Sequence, residues 1–106
     1  MAWFVLIVAG LLEVVWTYFM KQSDGFTKLV PSLVAIGASL VSFFLLAAAM
    51  KSLPLGTAYT VWTGIGAIGA FAVGVIVLQE PATAMRVAAA GLIIAGIVLM
   101  KFSSAA

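Results

Sequence analysis

Four long stretches almost empty of charge, Trp3 to Met20, Pro31 to Met50, Thr57 to Leu78 and Met85 to Met100, decide what kind of solvent this chain folds in. Wound as helices at 1.5 Å per residue, they measure about 24 to 33 Å, close to the thickness of a bilayer's hydrocarbon layer. None alternates polar with apolar residues as a membrane strand must, so helix is the reading for each. The chain has 106 residues, 66% of them hydrophobic and 8% charged, more apolar surface than one small soluble core can hide. The expected fold class is an all-α membrane protein, with residues 1–106 forming a single four-helix transmembrane domain. No Lys or Arg precedes the first run and it leads straight into further membrane sequence, so it reads as a span rather than a cleaved leader.

The short connections gather nearly every charge. Lys21-Gln22-Ser23-Asp24-Gly25-Phe26-Thr27-Lys28 combines charge with a turn glycine, and Pro31 suits the first position of the following helix, where no N–H is needed. Ser52-Leu53-Pro54-Leu55-Gly56 and Gln79-Glu80-Pro81-Ala82-Thr83 read as tight turns. Glu80 beside Pro81 reads as a solvated loop charge, and Arg86 and Lys101 as side chains that snorkel to headgroups. Two of the five basic residues (Lys51, Lys101) fall on one side of the membrane and three (Lys21, Lys28, Arg86) on the other. A difference of one is too small to fix orientation by the positive-inside rule. Insertion both ways up is therefore expected, and oppositely inserted copies can pair as an antiparallel dimer, giving the inverted symmetry that larger transporters build from internal repeats. The alternative is a weak bias that still yields one topology.

Composition also removes whole classes of chemistry. Without cysteine there are no disulfides or thiolate metal sites, and without histidine there are no His-based zinc sites, general bases or serine triads. Five scattered basic residues are too few for a nucleic-acid footprint. No metal and no cofactor is expected.

One carboxylate lies inside a span. Glu13 falls about halfway along the first run, where lipid offers neither water nor a counter-ion and a charge costs several kcal/mol, roughly 3 or more. Intramembrane acids usually mark proton or ion pathways; the plainer role is a protonated acid bonded to a neighbouring helix. Gly10, Glu13, Trp16 and Thr17 share one helix face by their spacing of three and four, providing a gap, an acid, an aromatic wall and a hydroxyl. Trp16 equally suits packing, although at mid-depth its N–H needs a partner. In the third run Tyr59 can donate to a carboxylate and Trp62 can face a cation, with an interfacial aromatic belt as the alternative. Gly64 and Gly66 suggest a helix kink, and Gly66, Ala70 and Gly74 form a small-residue stripe that suits close helix packing. Ser42, alone among polar residues in its half of the second run, bonds its own backbone or reaches Glu13. Gly91, Ala95 and Gly96 give the fourth run a small face suited to dimer packing.

Gly10-Leu11-Leu12-Glu13-Val14-Val15-Trp16, Gly25-Phe26-Thr27, Pro31-Ser32 and Lys51-Ser52-Leu53-Pro54-Leu55-Gly56-Thr57-Ala58-Tyr59, together with Trp62-Thr63-Gly64-Ile65-Gly66-Ala67, closely resemble the small multidrug resistance family. Trp16 after Glu13 and the run from Trp62 to Ala67 look like its guanidinium exporter subtype rather than its multidrug subtype. The resemblance implies an antiparallel dual-topology homodimer of four-helix subunits in the bacterial inner membrane, exchanging protons for guanidinium. It also implies that Glu13 of both subunits binds proton or substrate, that Trp16, Ser42 and Trp62 surround or bond the carboxylates, and that Tyr59 shares in the site and its gating. Thr17-Tyr18-Phe19-Met20 is bulkier than the resemblance leads one to expect, and Thr60 stands in place of an alanine. Substituted guanidiniums or quaternary ammonium ions with apolar tails are therefore candidate cargo too.

Two Glu13 carboxylates in one dry cavity repel each other and titrate as a coupled pair. A planar guanidinium offers each of them paired N–H donors, a geometry fully alkylated cations lack. Protons and cation then compete for the same acids, the basis of alternating access. The rival classes are a broad exporter of lipophilic cations, a proton or cation channel subunit, which leaves Trp16 and Trp62 without a role, and a non-transporting assembly factor. An enzyme fits least, since one buried acid supplies no nucleophile and base pair.

Overall fold

The structure, a computed structural model, describes residues 1–103. Helices α1 (Ala2–Gln22), α2 (Leu29–Ala49), α3 (Leu55–Ile76) and α4 (Ala84–Ser103) account for nearly all of it, and no strand occurs among the described residues. Each helix is long and apolar enough to cross a membrane.

The helix ends differ from the sequence expectation for identifiable reasons. α2 begins at Leu29 rather than Pro31, which puts the proline inside the first turn, where its missing N–H still has no intrahelical acceptor. α3 begins directly after Pro54, whose extended backbone (ψ 150°) serves as the cap, so Leu55 and Gly56 belong to the helix and not to the turn. It stops at Ile76 rather than Leu78, just ahead of Gln79, whose φ of 57° cannot continue a right-handed helix. α4 continues past Met100 to Ser103, carrying Lys101 over the ring of Trp3 on α1 at 4.4 Å.

Ser23 organises the first connection. Fully buried, it donates its hydroxyl to Met20 O (2.6 Å) and accepts from the Phe26 N–H (2.9 Å), while its carbonyl accepts from the N–H groups of Thr27 and Lys28. Asp24, Gly25 and Phe26 all adopt positive φ (52°, 74° and 65°), a run of left-handed residues that reverses the chain within a few positions.

The molecule is a slab of 43 × 34 × 16 Å, too thin to enclose a central core. Instead Leu6 and Ala9 of α1, Leu46 and Ala49 of α2, Leu53 of the second connection, and Ala58, Val61 and Trp62 of α3 meet near one end. Alanine at three of these eight positions, one on each helix, lets the three backbones approach closely, the packing mode of membrane helices. α1 packs on α2 and α3, while the α4 backbone leans on α3 alone. This asymmetry puts Glu13, one to two turns beyond the core on α1, at the middle of the slab against α3.

Candidate functional site

Glu13 lies on α1 half-buried, with its carboxylate directly over Gly66 of α3. A Cβ added at Gly66 would collide with Glu13 Oε2, so the glycine's bare backbone is what admits the acid to the helix interface. Oε2 is buried and has no hydrogen-bond partner, and the same is true of Trp16 Nε1 one turn further along. An unpaired buried acceptor and an unpaired buried donor on the same helix are uncommon, because each costs about 1–3 kcal/mol. Trp3 Nε1, near the start of the same helix, is likewise unpaired, which leaves Glu13 Oε2 as the acceptor among the three.

Next to them runs a polar and aromatic seam through α1, α2 and α3. Ser42 of α2, fully buried, donates its hydroxyl to Ala9 O of α1 (2.7 Å) and accepts from Trp62 Nε1 of α3 (3.0 Å). Neither sequence expectation for Ser42 is met: it bonds neither its own backbone nor Glu13, since its rotamer points across the interface at a carbonyl one turn ahead of the acid. Phe43 stands edge-on to both Trp16 (centroids 6.2 Å) and Trp62 (5.8 Å), and Tyr59 is tilted against Trp62 at 5.6 Å. Trp16, Phe43, Trp62 and Tyr59 thus form a continuous aromatic chain, which passes through the buried indole of Trp62 and ends at the half-exposed phenol of Tyr59.

Other sequence expectations are revised. Thr17 spends its hydroxyl on its own helix, donating to Glu13 O (2.8 Å) and Val14 O (3.0 Å), so it shares the face with Glu13 without offering the carboxylate a bond. Gly10 leaves no opening for a ligand: its Cβ position is only 2.7 Å from Cγ2 of Ile65, which fills the space. Gly64 and Gly66 lie within an unbroken α3 and act as contact points, Gly64 for Ile97 of α4 and Gly66 for Glu13. Nothing lies within 4 Å of the Cβ positions of Gly91 and Gly96, and Ala95 is exposed, so the small face of α4 is unoccupied by the chain's other helices. Glu80 and Arg86 are not solvated independently. They approach each other at 3.8 Å, and Arg86 also donates to Pro81 O at 2.7 Å. The loop is short enough to bring the two side chains back over α3, which neither isolated residue could reveal.

Sequence reasoning missed Phe43 and the carbonyl of Ala9. A phenylalanine in an apolar span has no distinguishing neighbour in sequence, and a backbone acceptor has no residue type at all. Gly66 was read both as a kink and as part of a small-residue packing stripe, and it is the packing role that it fills, against Glu13.

Fold and site together define a small multi-pass helical membrane protein with one acid held at mid-depth, a class in which ions and protons are handled within the bilayer. The chain belongs to the small multidrug resistance family: the profile described as Small Multidrug Resistance protein matches residues 1–93. It is 53% identical over 104 residues to a guanidinium exporter of Yersinia pseudotuberculosis serotype I, covering 98% of this chain and 100% of that protein. The guanidinium exporter of Escherichia coli strain K12 is similar to the same degree, with 99% of its length covered, and that of Citrobacter freundii is 52% identical. Four apolar spans and this membership make the chain a multi-pass protein of the bacterial inner membrane.

Proposed function

We propose that the chain is a proton-coupled antiporter that exports guanidinium, working by alternating access as an antiparallel homodimer and catalysing no covalent chemistry. The observation that carries this reading is Glu13 Oε2, a buried acceptor without a donor, opposite a glycine whose bare backbone admits the carboxylate. A guanidinium supplies N–H pairs that a carboxylate can accept in parallel, and its flat faces suit the nearby aromatic chain. A proton satisfies the same oxygen in another way, so only one of the two occupies it at a time. Two copies of Glu13, one from each subunit, would make occupancy by neither the least stable state, and that obliges exchange rather than leak. The unoccupied small face of α4 supports self-association, because glycine and alanine allow the close backbone approach that membrane helices use.

Uptake of guanidinium into proteoliposomes driven by a proton gradient is the test. Glu13→Gln keeps the shape and removes the charge, so exchange should be lost; robust exchange by that variant would sink the proposal. Guanidinium affinity in detergent should fall as pH is lowered, since protonation removes the anion that the cation needs.

A broader cargo range is the second reading, supported by the aromatic chain and its half-exposed end at Tyr59. Solid-supported-membrane currents across guanidinium, phenylguanidinium and tetrapropylammonium separate the two. A narrow exporter responds to the first two only.

A further inference from the structure

Glu80 is held in place by its backbone although its side chain stays partly exposed. Gln79 adopts a left-handed conformation and turns the chain so that the Glu80 N–H donates to Gly74 O at 2.9 Å. The Glu80 carboxylate then lies on Gly74, where any side chain would meet Oε1. From there it faces a cavity of about 230 Å³ between α1 and α3. Val14 and Ala70 line the same cavity, one the residue after Glu13 and the other one turn beyond Gly66. The cavity therefore runs from the membrane edge towards the acid at mid-depth.

A guanidinium is already present beside Glu80, and it is the chain's own, reaching over from a second cavity between α3 and α4 that Arg86 and Phe71 line. Arg86 Nη1 donates to Pro81 O at 2.7 Å, Nη2 lies 3.8 Å from Glu80 Oε1, and Cζ stands 5.3 Å from the centre of the Phe71 ring. Carbonyl, carboxylate and aromatic face are the three partners a free guanidinium would seek. The ion pair is long and both side chains are about 40% exposed, so it is weak enough to be exchanged for a competing cation. Lys21 lines the cavity between α1 and α3 as well, and its charge disfavours permanent retention of any cation there.

We propose that Glu80, Pro81 and Phe71 form a second guanidinium-recognition site at the membrane edge, where Glu80 borders the cavity that leads towards Glu13, and that Arg86 is a tethered competitor there that free guanidinium displaces. This deepens the reading of the chain as a guanidinium exporter and rests on it for the cargo. The site predicts a specific pattern of dependence between Glu80 and Arg86. Arg86→Gln removes the competitor and lowers KM for guanidinium. Glu80→Gln removes the attractor and raises KM. With Glu80 gone, loss of Arg86 has nothing left to release.

Initial rates of proton-driven guanidinium uptake by the full chain in proteoliposomes test this. Glu80→Gln should raise KM about three- to tenfold, the range expected for a partly exposed charge-assisted contact, with a smaller change in kcat. Arg86→Gln should lower KM by a comparable factor, and the double variant should match Glu80→Gln alone. An unchanged KM in Glu80→Gln, or an Arg86→Gln effect of equal size with and without Glu80, overturns the proposal. A second measurement separates this site from the cargo reading: calorimetric titration of guanidinium into detergent-solubilised protein already carrying Glu13→Gln. Binding that strengthens with Arg86→Gln, disappears with Glu80→Gln and is not reproduced by tetrapropylammonium supports the site, even if the wild-type chain transports no guanidinium. Equal heats from tetrapropylammonium would reduce the site to nonspecific charge attraction and overturn it.

Discussion

Seven residues of α3 are buried, among them Trp62, Gly64 and Gly66, whereas α4, of nearly equal length and also a strong candidate span, buries none. Apolar composition therefore does not decide which membrane helices pack, since lipid is as good a solvent for leucine as another helix is. Complementary shape and polar partners decide it. α3 offers bare glycine backbone to Glu13, Val14 and Ile97 and an indole N–H to Ser42, while the glycines at positions 91 and 96 of α4 face nothing in the chain. The same residue type thus closes an interface in one helix and leaves one open in the other.

Substitutions that fill or empty these places test the contrast directly. Gly10→Val forces bulk into Ile65 of α3, whose Cβ is fixed to the helix backbone and cannot rotate away, and should destabilise the fold by about 3 kcal/mol on denaturation in mixed micelles. Ser42→Ala orphans the Trp62 indole N–H and removes a bond to Ala9, and should cost about 2 kcal/mol in the same assay, with a shift in tryptophan emission. Gly66→Ala meets only the flexible end of Glu13, so stability should barely change while the carboxylate is displaced. Uptake should fall about tenfold, equivalent to roughly 1.4 kcal/mol of barrier. Gly91→Ala should leave monomer stability within about 0.5 kcal/mol, because nothing surrounds the added methyl. If it instead weakens self-association measured by energy transfer between labelled subunits, the open face of α4 is where a second copy packs.

The four helices were legible because the absence of charge over a bilayer's thickness permits little else. The prominence of Glu13 was legible for the same reason, as one acid stands out against an apolar background. Neighbours on a single helix followed from spacing, which correctly put Trp16 and Thr17 on the acid's side of α1. Spacing does not tell what a side chain does with its hydrogen bonds, so Thr17 was expected to serve a site and instead serves its own backbone. Contacts between helices were the least legible. Gly10 and Gly66 look equivalent in sequence, yet one receives a rigid isoleucine and the other a carboxylate, a difference set by the register of α1 on α3. Glu80 does lie in the loop and stays partly exposed, but its approach to Gly74 and Arg86 was not legible, because the left-handed backbone that redirects it occurs at Gln79, a residue type that does not announce such a turn.

The Ser42 hydroxyl has a mechanical consequence. One oxygen joins a carbonyl of α1 to an indole of α3, so sliding either helix against α2 by one turn would break the link on that side. α1, α2 and α3 are thereby pinned as a wedge that tilts as a unit more readily than it shears. Compliance is left to the joint between α3 and α4, where the α4 backbone packs on α3 alone. A carrier built this way would change the side it faces by rocking a stiff body on a soft seam, and stiffening that seam would slow turnover without altering what is bound.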